Sequence, residues 1–204
     1  MAAQTARVTV QRGGTKRFVF LTNGEDPFWD TCKAGWDEAA TKQGLAELGI
    51  RADYDKNQGG SQGQIDRLRQ YGTQSDIVGV AISVTQADNP ALAAELRKLQ
   101  KSGVKVITVD GDVNRDNFRD ARTFYIGTDN IYGGRTLGTA TNAVLKSRMK
   151  ETGGYVQFAG YTDNDNARSR MNGFKETVGE AYAEKDRMPD SMDRSKAQKT
   201  SAML

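Results

Sequence analysis

The chain has 204 residues, with 29 Lys and Arg against 26 Asp and Glu, and no histidine. That length allows one large or two small domains around a real core, a fold of this size removing roughly 70% of its unfolded surface from water. The near balance of charge points to neither a nucleic-acid groove nor an anionic membrane surface. The lack of imidazole excludes histidine triads, dyads and zinc sites, and the single Cys32 excludes an internal disulfide or a multi-thiolate metal centre.

No stretch approaches the ~20 apolar residues of a membrane span, and the opening Met1 to Lys16 lacks the apolar block of a secretory signal. Residues 1–16 read as a disordered tail. From Arg17 onward, short apolar runs of strand length alternate with longer amphipathic runs of helical period, the pattern of βαβ units around a parallel sheet. Phe18 to Leu21, Asp76 to Ile82 and Val104 to Val109 are nearly continuous apolar runs, as strands covered on both faces require, while Ile50 to Tyr54 alternates and predicts an edge strand. Asp26 before Pro27 and Asn89 before Pro90 mark helix starts, and Ser61 with Gln64 fits a capping box. Leu92, Leu96 and Leu99 line one face of the third helix, which Gly103 ends.

A second cycle follows a polar loop over 110–122. Phe124 to Ile126 is a short strand and Ile131 to Lys150 a helix with Leu137, Ala140 and Val144 turned inward, stopped by Gly153 and Gly154. Tyr155 to Ala159 is a strand, and Ala167, Met171, Phe174 and Val178 form the next helical stripe. Residues 183–190 make at best a polar strand, and 191–204 a helix with a thin inner face.

In an open parallel sheet a ligand sits beyond the carboxyl ends of the strands. The loops there, 22–29, 83–89, 110–116, 128–130 and 161–168, carry carboxylates, amides, an arginine and two adjacent aromatics, with neither the P-loop spacing nor the dinucleotide fingerprint. Rings beside planar polar groups suit a neutral sugar, whose C–H faces lie on rings while its hydroxyls need paired acceptors and donors. Phe28 and Trp29 supply the rings, Asp110 the acceptor and Arg168 the forked donor. Each candidate also has a structural reading. Asp26 suits a helix cap, and Asp110 an ordinary loop carboxylate. Phe28 suits the first place of an inner stripe with Cys32 and Ala39, which leaves Trp29 as the better stacking ring. Only one of Arg168 and Arg170 can face a cleft, and Asn166 reads as a cap.

The ordered blocks FLTNGEDPFWDTCKAG, DIVGVAISVTQAD, GVKVITVDGDV, FYIGTDNIYGGRTLG and NARSRMNGFKE resemble the periplasmic sugar-binding proteins of the ribose-binding type, the solute receptors of bacterial ABC importers. The resemblance runs from about Lys16 to about Phe174. It implies an α/β fold of two doubly wound parallel-sheet lobes, 17–127 and 128–204, the second incomplete because the family continues further. It implies a monosaccharide held between the lobes by Thr22, Asp26, Phe28, Trp29, Asp110 and Arg168, and a hinge at Gly127, Thr128 and Asp129. It further implies a periplasmic, non-enzymatic monomer with no cofactor, metal or nucleic acid, whose partners are the sugar and the importer's membrane subunits. Arginine often follows the strand-four aspartate in that family, whereas Gly111 and Asp112 stand here.

Two other readings remain. The effector-binding core of a LacI-type repressor shares the fold and cleft but needs a helix-turn-helix domain where only 16 residues precede the first strand. A magnesium-dependent phosphatase would use Asp110 and Asp112 as a metal-binding pair, though that motif belongs on a first strand.

Overall fold

In the computed structural model, residues 15–202 are described, and all their strands fall into two parallel sheets. The first contains β1 (Lys16–Leu21), β2 (Ile50–Asp55), β3 (Ile77–Ile82), β4 (Lys105–Val109) and β5 (Phe124–Ile126) in the order β2-β1-β3-β4-β5. The second pairs β6 (Gly153–Ala159) with β7 (Tyr182–Pro189). Most of the expected tail, residues 1–14, lies outside the described residues; Lys16 already pairs with Ile50 as the first residue of β1. The edge position of β2 follows from its mixed pattern, since one side of it meets no further strand.

Helices pack on both faces of β1 and β3, where side-chain alternation sorts the residues between them, while Phe124 and Ile126 of β5 stay 49% and 53% exposed. Val19 and Leu21 of β1, Val80 and Ile82 of β3 and Val106 of β4 pack toward α2 (Gly60–Gly72) and α3 (Pro90–Lys101), where Ile65, Leu68, Leu92, Leu96 and Leu99 complete a dry cluster. Burying each of these leucines contributes about 2 kcal/mol. Phe20 and Ala81 face the other way, onto α1 (Pro27–Lys42). There the inner stripe is Trp29, Cys32 and Trp36 rather than Phe28, Cys32 and Ala39. Both stripes have helical spacing, and the larger rings take the inner one because they bury more apolar area.

The caps at Asp26 and Asn89 form as the sequence predicts: Asp26 Oδ1 accepts from Phe28 N, and Asn89 Oδ1 from the Ala91 and Leu92 amides. The capping box does not. Gly59 occupies the cap of α2 without a side-chain bond, and Gln64 turns inward, fully buried. Its Nε2 donates to the carbonyls of Thr22 and Ser83 at 2.9 and 2.6 Å, and its Oε1 accepts from Thr85 N at 3.1 Å. These carbonyls lie past the ends of β1 and β3, where no ladder partner serves them, so one buried amide fixes the floor on which a site stands.

The second half differs from expectation in its first helix. α5 spans Asn130–Ser147, and Leu137, Ala140 and Val144 do not face inward: Leu137 and Val144 are 60% and 52% exposed. The buried positions are Asn130, Gly134 and Gly138, a stripe of smaller residues. A Cβ on Gly134 would run into the Arg170 carbonyl, and one on Gly173 into that of Ile131. A Cβ on Gly138 would lie 2.8 Å from the Thr177 Cβ. α5 therefore meets α6 (Asp165–Val178) backbone to backbone, and the interface is set by what is missing from the side chains. The helix ends at Ser147, after which Met149 takes a left-handed φ of 54°; Gly153 and Gly154 are the first residues of β6, with the Lys185 stem laid across Gly154. α7 (Arg194–Ser201) buries no residue.

Candidate functional site

The strand order of the first sheet reverses direction between β1 and β3, so the loops leaving the carboxyl ends of β1, β3 and β4 diverge around one crevice. The second half closes over it through the loop after β6 and the start of α6. A cavity of about 820 Å³ lies between them, with Asn23, Asp26, Phe28, Trp29 and Asp110 on one wall and Gln157, Tyr161, Asn166, Arg170 and Phe174 on the other.

The rings exchange the roles expected of them. Trp29 is 2% exposed, tilted against Phe20 at 5.9 Å, with Nε1 donating to Asn23 Oδ1 at 2.9 Å; it is a core residue whose edge reaches the cavity. Phe28, one step around the helix, is 58% exposed and meets Trp29 edge-on at 5.0 Å. The ring exposed at the cavity is thus that of Phe28, braced by the indole behind it. Asp26 both caps α1 and lines the cavity. Thr22 does not line it: fully buried, its hydroxyl donates to Gly24 O at 2.6 Å and accepts from Asn57 N at 2.9 Å, which shapes the loop that carries Asp26.

Asp110 stands at the tip of β4 with φ 64°, a left-handed conformation that aspartate tolerates better than most residues. Ser83 Oγ donates to Oδ2 at 3.3 Å and Asn166 Nδ2 to Oδ1 at 2.9 Å. Burial pushes its carboxyl above the ordinary range, and these two bonds with the Arg170 charge offset only part of that rise. Two residues on, Asp112 is fully buried and behaves oppositely. Burial would raise it, but hydrogen bonds from Arg122 and Thr108, with the Arg122 charge and an Arg115 bond, outweigh burial and hold it below the ordinary range. Five donors fill its two oxygens: Thr108 Oγ1, Val113 N, Arg115 Nε and Arg122 Nε and Nη2. No lone pair is left to share a cation with Asp110. Among the described residues no group of three or more His, Cys, Asp or Glu is placed to hold a metal. The paired-aspartate reading loses its geometry.

Arg168 does not face the cavity. It pairs with Asp88 on the loop after β3, across the cleft, and Arg170 is the arginine on the cavity wall. The cleft is stitched beside that pair by Gln86 Nε2 to Asp163 Oδ2 at 2.9 Å and by Asn164 Nδ2 to Val84 O at 3.4 Å. Asn164, not Asn166, caps α6, which frees the Asn166 side chain to bridge Asp110 and Asn130. Among the described residues the chain passes between the halves once, over 127–129. Asp129 caps α5 there, and Tyr125 donates to Asp110 O at 3.0 Å and Thr128 O at 3.1 Å; a Cβ on Gly127 would strike that phenol.

Sequence reasoning missed Gln64, Arg170, Asn166 and Asn130. Arg170 was visible as one of two alternatives. The sequence marks Gln64 only as part of a capping box and does not mark Asn130, and the partners of both lie 19 to 42 residues away in the chain.

Comparison with known proteins agrees with this architecture. No curated protein sequence matches the chain. Solved structures do, at identities that speak for the fold. They include a solute-binding protein of an ABC transporter from Burkholderia graminis in complex with D-arabinose (19% identity, TM-score 0.76, 95% of this chain and 63% of that one). Others are a Caulobacter myo-inositol binding protein bound to myo-inositol (22%, 0.74, 94% and 61%) and a Mycobacterium smegmatis protein in complex with β-D-fucofuranose (22%, 0.73, 91% and 59%). The chain therefore spans less than two thirds of the length of each. The periplasmic binding protein domain model matches residues 17–204, nearly all of the sequence, and the chain belongs to that family.

Proposed function

We propose that the chain is a solute receptor of an ABC importer that holds a small neutral sugar or polyol between two lobes, residues 17–127 and 128–204, hinged at Gly127, Thr128 and Asp129. The observation that carries this reading is the cavity at the switch point of the first sheet, where the exposed Phe28 ring stands among Asp26, Asp110, Asn166 and Arg170. A sugar ring lies with its C–H face on Phe28; its hydroxyls donate to the two carboxylates and accept from the amide and guanidinium. Each hydrogen bond to a charged group contributes roughly 1.5–3 kcal/mol once water is excluded, so a few suffice for micromolar affinity.

On this reading Asp26, Phe28 and Asp110 touch the ligand first, Trp29 braces Phe28, and Thr22 keeps the loop in shape. Arg170 and Asn166 then arrive with the second lobe, while Arg168 secures the closed form through Asp88 outside the ligand. The ligand shifts the lobes only by its differential affinity for the closed state, and that closed shape is what the importer's membrane subunits recognise. The same reading makes the chain a periplasmic, non-catalytic monomer. The likeness to proteins solved with D-arabinose, myo-inositol and β-D-fucofuranose supports the ligand class.

A thermal-shift screen against pentoses, hexoses and cyclic polyols tests it, since a ligand that binds only the folded form raises the midpoint by mass action. A rise with one or a few of them, lost in Asp110→Ala, is expected. A flat response across the panel would overturn the reading.

A further inference from the structure

Four side chains form one hydrogen-bonded file from the second half to the first. Arg170 Nε donates to Asn130 Oδ1 at 2.7 Å, Asn130 Nδ2 donates to Asn166 Oδ1 at 2.8 Å, and Asn166 Nδ2 donates to Asp110 Oδ1 at 2.9 Å. The ends dictate the direction of both amides. A guanidinium only donates and an ionised carboxylate only accepts, so each amide turns its oxygen toward Arg170 and its NH₂ toward Asp110. All the dipoles then point one way between a cation and an anion, the arrangement in which successive hydrogen bonds strengthen one another.

Three of the four residues line the cavity. Asn130 does not: it is 4% exposed, lies behind the wall, and is the first residue of α5, directly after the segment that joins the halves. Its place is set by the small-residue stripe, since Asn130, Gly134 and Gly138 face α6 together.

We propose that Asn130 is a positioning residue for the ligand site. It aims the Arg170 guanidinium into the cavity and, through Asn166, ties that aim to Asp110 across the cleft, so that the cation and anion gripping the ligand are set together. This rests on the receptor reading of the cavity. Asparagine meets both demands of the position with two separate atoms, an oxygen for Arg170 and an NH₂ for Asn166. Aspartate accepts from Arg170 but has no N–H for Asn166, and leucine serves neither.

The test has one arm without ligand and one with. In the ligand-free chain, the Arg170 Nε–H signal is followed by nitrogen-15 NMR, assigned by its loss in Arg170→Ala. Slow exchange with water is expected in the parent and in Asn130→Asp, which keeps the acceptor, and exchange about tenfold faster or more in Asn130→Ala, the loss of one charged hydrogen bond. Equal exchange in the parent and Asn130→Ala would overturn the proposal. In the second arm, calorimetry uses the sugar that gives the largest thermal shift. Asn130→Ala and Asn130→Asp should each weaken binding about 10- to 100-fold. Because Asn130 acts through Arg170 and Asn166, Asn130→Ala should add less than about twofold in a background carrying both Arg170→Ala and Asn166→Ala, whereas a purely structural role would let the losses multiply. Multiplying losses would overturn the proposal. If no sugar in the panel binds the parent, the receptor reading falls, and the exchange arm alone decides whether Asn130 holds Arg170.

Discussion

The two halves of this chain are held together by different physics. In the five-stranded half, branched and aromatic side chains fill both faces of the central strands β1 and β3, and its two buried clusters hold most of the fully buried apolar residues. In the two-stranded half the tightest contact is between helices that carry almost nothing at the contact, and several large apolar side chains, Leu137, Val144, Met149 and Phe158 among them, remain exposed. The first half is specified by what its side chains fill, the second by where side chains are absent. Apolar periodicity therefore finds the core of the first half and the Met171 and Val178 stripe of α6, and misleads about α5.

The largest expected effect lies in the first half, at a polar position. Asp112→Asn leaves the buried Arg122 guanidinium, itself 8% exposed, without its counter-charge, a loss of about 3–5 kcal/mol in chemical denaturation. Since the Asp112 carboxyl is held below its ordinary range when folded, its contribution is complete at neutral pH and disappears as pH falls through that lowered range. The variant should lose this part of the acid sensitivity. Next, Leu96→Ala should cost about 2–5 kcal/mol, whereas Val144→Ser should stay within about 0.5 kcal/mol. Similar costs for the two would erase the contrast between the halves. Gly134→Ala adds one methyl group against the Arg170 carbonyl and should cost about 1–3 kcal/mol despite alanine's better helix propensity. A stabilised variant would show that the helices can part. Smaller still, Arg168→Ala removes a partly exposed pair with Asp88, about 0.2–1 kcal/mol, and the difference from the parent should shrink as salt is added.

The fold was legible wherever one residue type had one use. Asp26–Pro27 and Asn89–Pro90 start helices, the run read at Ile50 to Tyr54 is an edge strand over Ile50–Asp55, and the polar run read at 183–190 is a strand over Tyr182–Pro189. The site was legible as a set of loops but not as a set of side chains. Phe28 and Trp29 are adjacent on a helix, and both 28-32-39 and 29-32-36 are acceptable stripes; only the depth of the pocket beside Phe20 decides which ring is buried. Arg168 and Arg170 lie about 200° apart around α6, and the side that faces the cavity depends on how closely the glycines let α5 approach. Gln64 answers to backbone groups, and Asn130 to a guanidinium and a side-chain amide, all far away in the chain, which leave no local pattern.

The sharpest comparison within one loop is between Asp110 and Asp112, and for Asp110 it predicts a small stability change. Asp110→Asn should alter the unfolding free energy by less than about 1 kcal/mol, because an amide oxygen still accepts from Asn166, its NH₂ meets the Ser83 hydroxyl, and asparagine tolerates the left-handed backbone. The pH response separates it further from Asp112. Burial raises the folded carboxyl of Asp110 above its unfolded value, so its ionised form costs stability at neutral pH and that cost is relieved as pH falls through the raised range. Urea midpoints measured from about pH 3 to about pH 7 should therefore lose a rising arm on acidification in Asp110→Asn and a falling arm in Asp112→Asn. Sugar affinity should divide the two the other way, Asp110→Asn binding about tenfold or more weakly at neutral pH while remaining as stable as the parent. A carboxylate that costs stability yet is needed for binding marks the ligand site; if Asp110→Asn unfolds as readily as Asp112→Asn, both aspartates are structural and the site has lost its acceptor.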